Sequence, residues 1–340
     1  MIKKPLSSRG FTIVELLIVI VVIGILSAIT IVAYNGIQQR ATVASLNSDL
    51  DNASKTLKLF QVDNSAFPAT INCAVPDSAT NKCVKSSNGT TYQYISTIAP
   101  QLFCLTATNS TYSYNIGQDG TPLAGPCPIL RFDAGNSISY PGTGTTWTDV
   151  SGNGNNGNLV NGVGFSSTNG GSLSFNGVNN NVDAGTNPIF DITGPMSLDA
   201  WVKTTQISFG GIVTKYSAPG LAYGYDLSVY NNKTAFNIRS GTNGWNATAF
   251  SNTAINDNNW HYVVGVYNGS SVIAYDNAVA GPSSPWSFGS SPSSSSLQIG
   301  SRGGSGYFAG QISNVRIYNK ALSQSDIDQN FNASRGRYGI

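Results

Sequence analysis

One apolar run near the amino terminus constrains this chain more than any other feature. From Phe11 to Tyr34 the residues are apolar or small apart from one acid, Glu15, the sole glutamate among 340 residues. As a helix the run would measure roughly 36 Å at about 1.5 Å per residue, enough to cross a bilayer. A carboxylate carried into the membrane costs on the order of 2.5 to 3.5 kcal/mol at the bilayer centre and less near its edge, so a compensating partner is expected. Lys3, Lys4 and Arg9 precede the run with no acid among them. Positive flanks stay cytoplasmic, which sends the carboxyl-terminal side outward. A secretory signal peptide has a shorter apolar core followed by small residues, whereas here the small residue, Gly10, comes first.

These residues resemble the class III leader and amino-terminal helix of type IV pilins and pseudopilins. The match comprises the basic leader, Gly10 at the processing position, Phe11 as first mature residue, Glu15 as the fifth, then Gly24, Ala33 and Tyr34. Val32 stands where many pilins carry a helix-loosening proline. The resemblance implies that residues 1–10 are a leader, that a prepilin peptidase cuts between Gly10 and Phe11 and methylates the new amine, and that residues 11–34 form a transmembrane and polymerisation helix. Its partners would be other pilin subunits and the pilus assembly machinery. The ammonium of one Phe11 would pair with Glu15 of a neighbour, offsetting desolvation and fixing axial register. The chain would cross the inner membrane once before assembly and afterwards lie in an extracellular pilus or at the cell surface.

Beyond Tyr34, Val43, Leu46, Leu50, Ala53, Leu57 and Phe60 recur three and four apart, with Asn47, Asp49, Asp51, Lys55 and Lys58 between them. That period predicts an amphipathic helix lying on a domain. Asp63-Asn64-Ser65-Ala66-Phe67-Pro68 ends it with turn formers and a proline. From about Ala69 to Pro128 the strand candidates are short: Tyr92–Ile95, Leu102–Leu105 and Tyr112–Ile116. Residues 35–128 therefore read as a pilin-like helix and small β head. All four cysteines, Cys73, Cys83, Cys104 and Cys127, lie here, in a segment expected outside the cytoplasm, so two disulfides are expected. Three connectivities are open. Cys73 and Cys83 bracket a short loop, and Cys104 with Cys127 resembles the carboxyl-terminal loop staple of many pilins, which favours that arrangement. A metal site is disfavoured by wide spacings and the lack of a nearby histidine.

After Pro128 the composition shifts toward Gly, Ser, Asn and aromatic residues, and residues 129–340 suit one large β-sandwich. Alternating runs recur at Ser172–Phe175, Met196–Val202, Tyr225–Tyr230, Trp260–Tyr267, Val272–Tyr275, Leu297–Gly300 and Gln311–Tyr318. Several resemble the concanavalin A-like lectin/glucanase fold in its laminin-G-like branch: Phe175-Asn176-Gly177, Ala200-Trp201-Val202, Trp260-His261-Tyr262-Val263, Tyr275-Asp276-Asn277, Ile299-Gly300, and Gly310-Gln311-Ile312 through Ser323. Asn277 replaces the glycine many relatives have at a hairpin and still tolerates positive φ. Ser323–Asp328 reads as a short helix capped by Ser323 or Ser325. The expected fold is thus an α+β pilin, with a long amino-terminal helix and small antiparallel sheet, followed by an all-β jelly-roll sandwich.

Retaining glucanases of this fold use two glutamates on one strand, and no glutamate follows Glu15. Asp199, Asp226 and Asp276 lie on separate strands without paired spacing, and the single histidine, His261, sits in a strand motif that favours a structural role. No enzyme is expected. Asp149, Asn153 and Asn155 alternate oxygen-bearing side chains as a calcium site would, although the closing bidentate acid of an EF-hand is absent and Asn-Gly strings are ordinary turn formers. Asp199 and Trp201 share one strand face and are the candidate contacts for a carbohydrate or surface-protein ligand, although a core role is the favoured reading of Trp201 and Trp260 in such a fold; Trp245, Trp286 and Tyr307 add aromatic supply in loop-like text. Loss of Lys3, Lys4 and Arg9 with the leader turns the formal charge of +2 into −1 and leaves no basic cluster, so nucleic acid is not an expected partner. The composite reading is a minor or tip pilin that displays a lectin-like domain for attachment. The alternatives are a secretion-system pseudopilin and a structural pilin whose sandwich is a spacer.

Overall fold

The computed structural model describes residues 13–98, 101–217, 223–241 and 246–340, with backbone alone at 28, 31–33, 35 and 36. Gly10 and Phe11, the processing pair, lie outside the described residues, as does Trp245. Contacts divide the chain into one compact unit ending at Ser48 and another spanning Asp49–Ile340.

Helix α1 runs Ile13–Asn64, with Glu15 in its first turn. The described side chains from Ile13 to Ser27 are all exposed. Among the described residues no helix is long and apolar enough to cross a membrane. Further along, Leu46, Leu50, Ala53, Leu57 and Phe60 are buried, following the predicted period, while Val43 is half-buried. The helix stops where expected, at Ser65, whose φ of 58° is left-handed.

The head begins within the second unit, where the helix carries a four-stranded antiparallel sheet in sequence order: Thr91–Ile98, Gln101–Thr108, Ser113–Gly117 and Leu123–Ala124. The Tyr92 hydroxyl donates to the Asp49 carbonyl at 3.1 Å and Gln61 Nε2 to Gln101 Oε1 at 2.6 Å, tying sheet to helix. Two disulfides staple it, Cys73–Cys83 and Cys104–Cys127.

The remainder is a sandwich of an eight-stranded and a nine-stranded antiparallel sheet. The first runs Asn246–Ala254, Lys233–Ser240, Tyr223–Tyr230, Gly210–Ser217, Leu297–Ile299, Asn181–Asp183, Gly157–Val160 and Thr146–Trp147. The second is centred on Trp260–Tyr267, Met196–Thr204 and Ala309–Tyr318, and the last of these also pairs with Leu130–Asp133. Alternation turns Leu198, Ala200 and Val202 from one sheet and Leu227, Val229, Phe236 and Ile238 from the other into a shared core. Gly265 admits that packing, since a Cβ there would stand 2.3 Å from the Phe236 ring. Asn277 takes φ 48° and Ala278 φ 67°, so the hairpin turns without its glycine.

The final helix is longer than the sequence suggests. Helix α2 spans Gln324–Tyr338, with Ser323 as N-cap in a capping box with Asp326 and Gly339 as left-handed C-cap. Its inner side extends the short motif because Ile327, Asn330 and Tyr338 are buried. Asn330 also reaches the head: its Oδ1 accepts from the Ala124 amide at 3.0 Å and its Nδ2 donates to the Ala124 carbonyl at 3.3 Å. Arg131 of the sandwich pairs with Asp119 of the head. Head and sandwich are therefore joined by packed, hydrogen-bonded surfaces as well as by the chain.

Candidate ligand-binding site

The residues read as ligand contacts, Asp199 and Trp201, do share a face, but that face is covered. Both are wholly buried. Trp201 stacks on Tyr338 at 4.0 Å and on Phe331 at 5.8 Å, and its indole N–H donates to Ser334. Asp199 Oδ1 accepts from Arg316 Nε at 2.8 Å, and Oδ2 accepts from the Tyr262 hydroxyl at 3.1 Å. Burial works against the Arg316 charge, but Asp199 and the surrounding phenols hold the guanidinium protonated well above its usual range. Alternation specified the face correctly and could not reveal that α2 seals it. Trp286, read as loop-like, is likewise a core residue.

The calcium reading is also corrected. Asp149 is fully buried and its carboxylate accepts the amides of Arg131, Ser151 and Asn155 and the Ser151 hydroxyl, each at 2.9 Å. Asn153 points its Nδ2 at the carbonyls of Pro128 and Ile129, and Asn155 Oδ1 accepts from Asn187. The Asp149 carboxylate organises the turn, and the Asn155 oxygen is taken by Asn187. Burial still pushes the Asp149 carboxyl upward, with the surrounding donors opposing it. Among the described residues no group of three or more His, Cys, Asp or Glu side chains is placed to hold a metal.

His261 is held between two acids, Nδ1 at 2.8 Å from Asp276 and Nε2 at 3.0 Å from Asp257. Burial disfavours its charge, yet the two carboxylates outweigh burial and lift the imidazole above its usual value. Both ring nitrogens are thus engaged by carboxylates.

A different cluster emerges on the outer face of the eight-stranded sheet. Register places Thr214, Asp226, Asn237 and Thr248 side by side across four strands. Hydrogen bonds follow that row: Thr248 donates to Asn237 Oδ1 at 2.5 Å, and Asn237 Nδ2 to Asp226 Oδ1 at 2.7 Å. Ser228 supplies a second donor to the same oxygen at 3.0 Å. The adjacent row is Tyr216, Gly224 and Arg239. Gly224 has φ 94°, and a Cβ there would lie 1.7 Å from the Lys215 carbonyl. With no side chain standing at Gly224, the Arg239 guanidinium reaches within 5.3 Å of the Tyr216 ring centroid. Arg302, from the turn after the Leu297–Ile299 strand, stacks on the same ring at 3.8 Å and lies 4.8 Å from Phe209.

An aromatic wall borders these cations. Tyr230 and Phe250 lie 6.1 Å apart with rings 26° from parallel, and Phe209 meets Tyr230 edge-on at 6.3 Å. The resulting cavity is about 430 Å³, within the roughly 300–1,000 Å³ of small-ligand sites. Its wall is aromatic, its floor amide and hydroxyl, and its rim cationic. Sequence reading recognised the Tyr225–Tyr230 strand and weighed Asp226 as an acid, but missed Arg239, Thr248, Phe250 and Arg302. The available signal was the scarcity of charge in this segment: two arginines and one aspartate converge where charged residues are otherwise few.

Comparison with known proteins accounts for both ends of the chain. Residues 6–31 match the prokaryotic N-terminal methylation motif, and residues 176–328 match the concanavalin A-like lectin/glucanases superfamily. The Type II secretion system core protein G of Klebsiella michiganensis is 34% identical over 64 residues, which cover 19% of this chain and 45% of the relative. The type IV wide pilus major component PilA4 of Thermus thermophilus is 36% identical over 61 residues, covering 18% and 47%. The chain thus spans less than half the length of these relatives. The binding domain of Paraclostridial Mosquitocidal Protein 1 superposes with a TM-score of 0.49 at 14% identity, over 61% of this chain and 52% of that one. A pilin-like amino terminus and a lectin-like sandwich are joined in one polypeptide.

Proposed function

We propose that this chain is a pilin-like subunit, minor or at the filament tip, that displays a lectin-like domain for attachment to glycan or protein surfaces. The observation that carries the reading is the union of a methylation-motif amino terminus with a sandwich that keeps an open, aromatic-walled cavity. In this reading a prepilin peptidase releases residues 1–10 and the helix from Phe11 crosses the inner membrane once. It then enters a filament in which the Phe11 amine of one subunit meets Glu15 of the next, giving axial register. The bulk of the sandwich favours a low-copy position over a shaft packed with this subunit alone. The chain acts as a binding protein and not as an enzyme, with no glutamate after Glu15 to supply a hydrolytic pair.

Similarity to core protein G of secretion systems favours a second reading, a pseudopilin whose sandwich recognises exported cargo. Deleting residues 129–340 would expose the head surface that Asn330 and Arg131 cover, so a cavity substitution separates the readings more cleanly. Cells carrying Phe250→Ala should assemble normal filaments and adhere several-fold less per filament, while Glu15→Ala should lose filaments altogether. Unchanged adhesion with impaired export in the Phe250→Ala strain would reject attachment in favour of the pseudopilin.

A further inference from the structure

We infer that the cavity on the eight-stranded sheet takes a saccharide bearing an anionic group, a carboxylate or sulfate, which the paired guanidinium groups of Arg239 and Arg302 hold while the sugar lies against the Tyr230–Phe250 wall. This deepens the attachment reading and rests on it. The charge count comes first. Two arginines and one acid meet here, and Asp226 is the only carboxylate within reach of either guanidinium among the described residues.

That acid does not satisfy them. Oδ1 of Asp226 is occupied by Ser228 and Asn237, and Oδ2 is buried without a hydrogen bond, 3.8 Å from Arg239 Nη2 and 4.0 Å from Arg302 Nε. The Nε groups of both arginines are themselves buried with no hydrogen-bond partner. Their side chains are 14% and 19% exposed, too sheltered for bulk water to hydrate them fully. Buried polar groups are ordinarily paired, and each exception calls for an explanation. Burial and the neighbouring Arg302 also lower the proton affinity of Arg239, with Asp226 opposing them.

An anion answers the cationic excess, because the one shared carboxylate stands 3.8–4.0 Å from both guanidinium groups and leaves their terminal N–H donors free to turn toward the cavity. Guanidinium forks present parallel N–H donors that match the oxygens of a carboxylate or sulfate, and the incoming charge would offset the net positive balance. The rest of the cavity indicates a sugar in preference to a free inorganic anion. Tyr230 is partly exposed and near-parallel to Phe250, offering an apolar flank to the C–H face of a ring. Asn237 and Thr248 place an amide and a hydroxyl on the floor beside it, suited to hydroxyl groups.

The test uses the full-length chain in detergent micelles on an array of uronate-, sialate- and sulfate-bearing glycans beside neutral counterparts. Titration of the best acidic oligosaccharide and its uncharged methyl ester, or desulfated form, follows. The acid should bind at least about 10-fold more tightly than the neutral form, as expected for charge-assisted bonds in a sheltered site. That preference should shrink as sodium chloride rises from 50 to 500 mM, a measurement needing only the wild-type protein. Arg239→Gln and Arg302→Gln should each erase the preference, and Phe250→Ala should weaken acid and neutral forms alike. Carboxylated and sulfated probes distinguish the two sources of charge. Equal affinity for acid and neutral forms, with no salt dependence, overturns the inference and leaves glycan attachment standing. Absence of binding to every saccharide sinks both.

Discussion

Replacing Asn330 with alanine should destabilise the Asp49–Ile340 unit by about 2–5 kcal/mol, although the residue lies far from the cavity. Asn330 is wholly buried and satisfies both the amide and the carbonyl of Ala124, itself only 2% exposed. Truncation strands both backbone groups, and each buried group left unpaired costs roughly 1–3 kcal/mol. Alanine is the better helix former, but that returns only about 0.5 kcal/mol within α2 and cannot reverse the sign. For a unit somewhat larger than 150–250 residues the lower end of about 2–4 °C per kcal/mol applies, giving a fall in Tm of roughly 4–10 °C. Scanning calorimetry of the oxidised protein should show the head and sandwich melting together at the lower temperature. A shift under 1 °C, or a wild-type head that melts separately from the sandwich, would refute the claim that Asn330 couples them.

Two further outcomes follow from other parts of the same unit. His261 has its folded pKa raised by Asp276 and Asp257. Its contribution should therefore be fully present below the unfolded value near 6.5 and disappear as pH rises through the higher folded value. Urea midpoints from pH 5.5 to 8.5 should fall more steeply in the wild type than in His261→Gln; parallel slopes would contradict the ion-pair assignment. Replacing Cys104 and Cys127 by serine opens a bridge between residues 23 apart in sequence, which loop entropy values at about 3 kcal/mol. Chemical denaturation of the double variant would expose an error if stability changed by less than 1 kcal/mol.

The legible parts of the molecule are those where period and burial coincide. Leu50, Ala53, Leu57 and Phe60 announce the buried helix side because their spacing is helical and their neighbours are polar. The Trp260–Tyr267 and Met196–Thr204 strands are equally plain, being central and rich in bulky aliphatic and aromatic residues. The strands Gly210–Ser217, Lys233–Ser240 and Asn246–Ala254 were not recognised, and they carry Tyr216, Arg239, Thr248 and Phe250 of the cavity. Their weak signal has a physical origin. Alanine, threonine, asparagine and serine fill many positions of the last two and a pair of glycines opens the first, so hydrophobicity barely oscillates along them, and pairing across the sheet decides their conformation. Arg302 was beyond reach for another reason, since it joins the cluster from a turn distant in sequence, by tertiary contact alone.

The misplacement of the site on Asp199 and Trp201 has a structural logic that bears on where ligands can bind. Each sheet of a sandwich has one inner and one outer face, and strand alternation cannot say which outer face the chain will cover with its own later segments. Here α2 settles the matter for the nine-stranded sheet. Phe331 and Tyr338 close over Trp201, Tyr338 also meets Trp260 at 5.0 Å, and Ile327 and Leu322 complete a largely buried apolar layer. The same helix uses Asn330 to fasten the head, so that outer face is spent on cohesion. Across the core, the eight-stranded sheet keeps Tyr230 43% exposed beside Phe250 and Phe209, with two buried Nε groups unmet. Aromatic side chains on one outer face therefore serve packing while those on the other remain available. That division predicts that Trp201→Phe will be read out in stability with saccharide affinity unchanged, and Phe250→Ala in affinity with Tm nearly unchanged. Reversal of the two phenotypes would return the binding surface to the face that α2 covers.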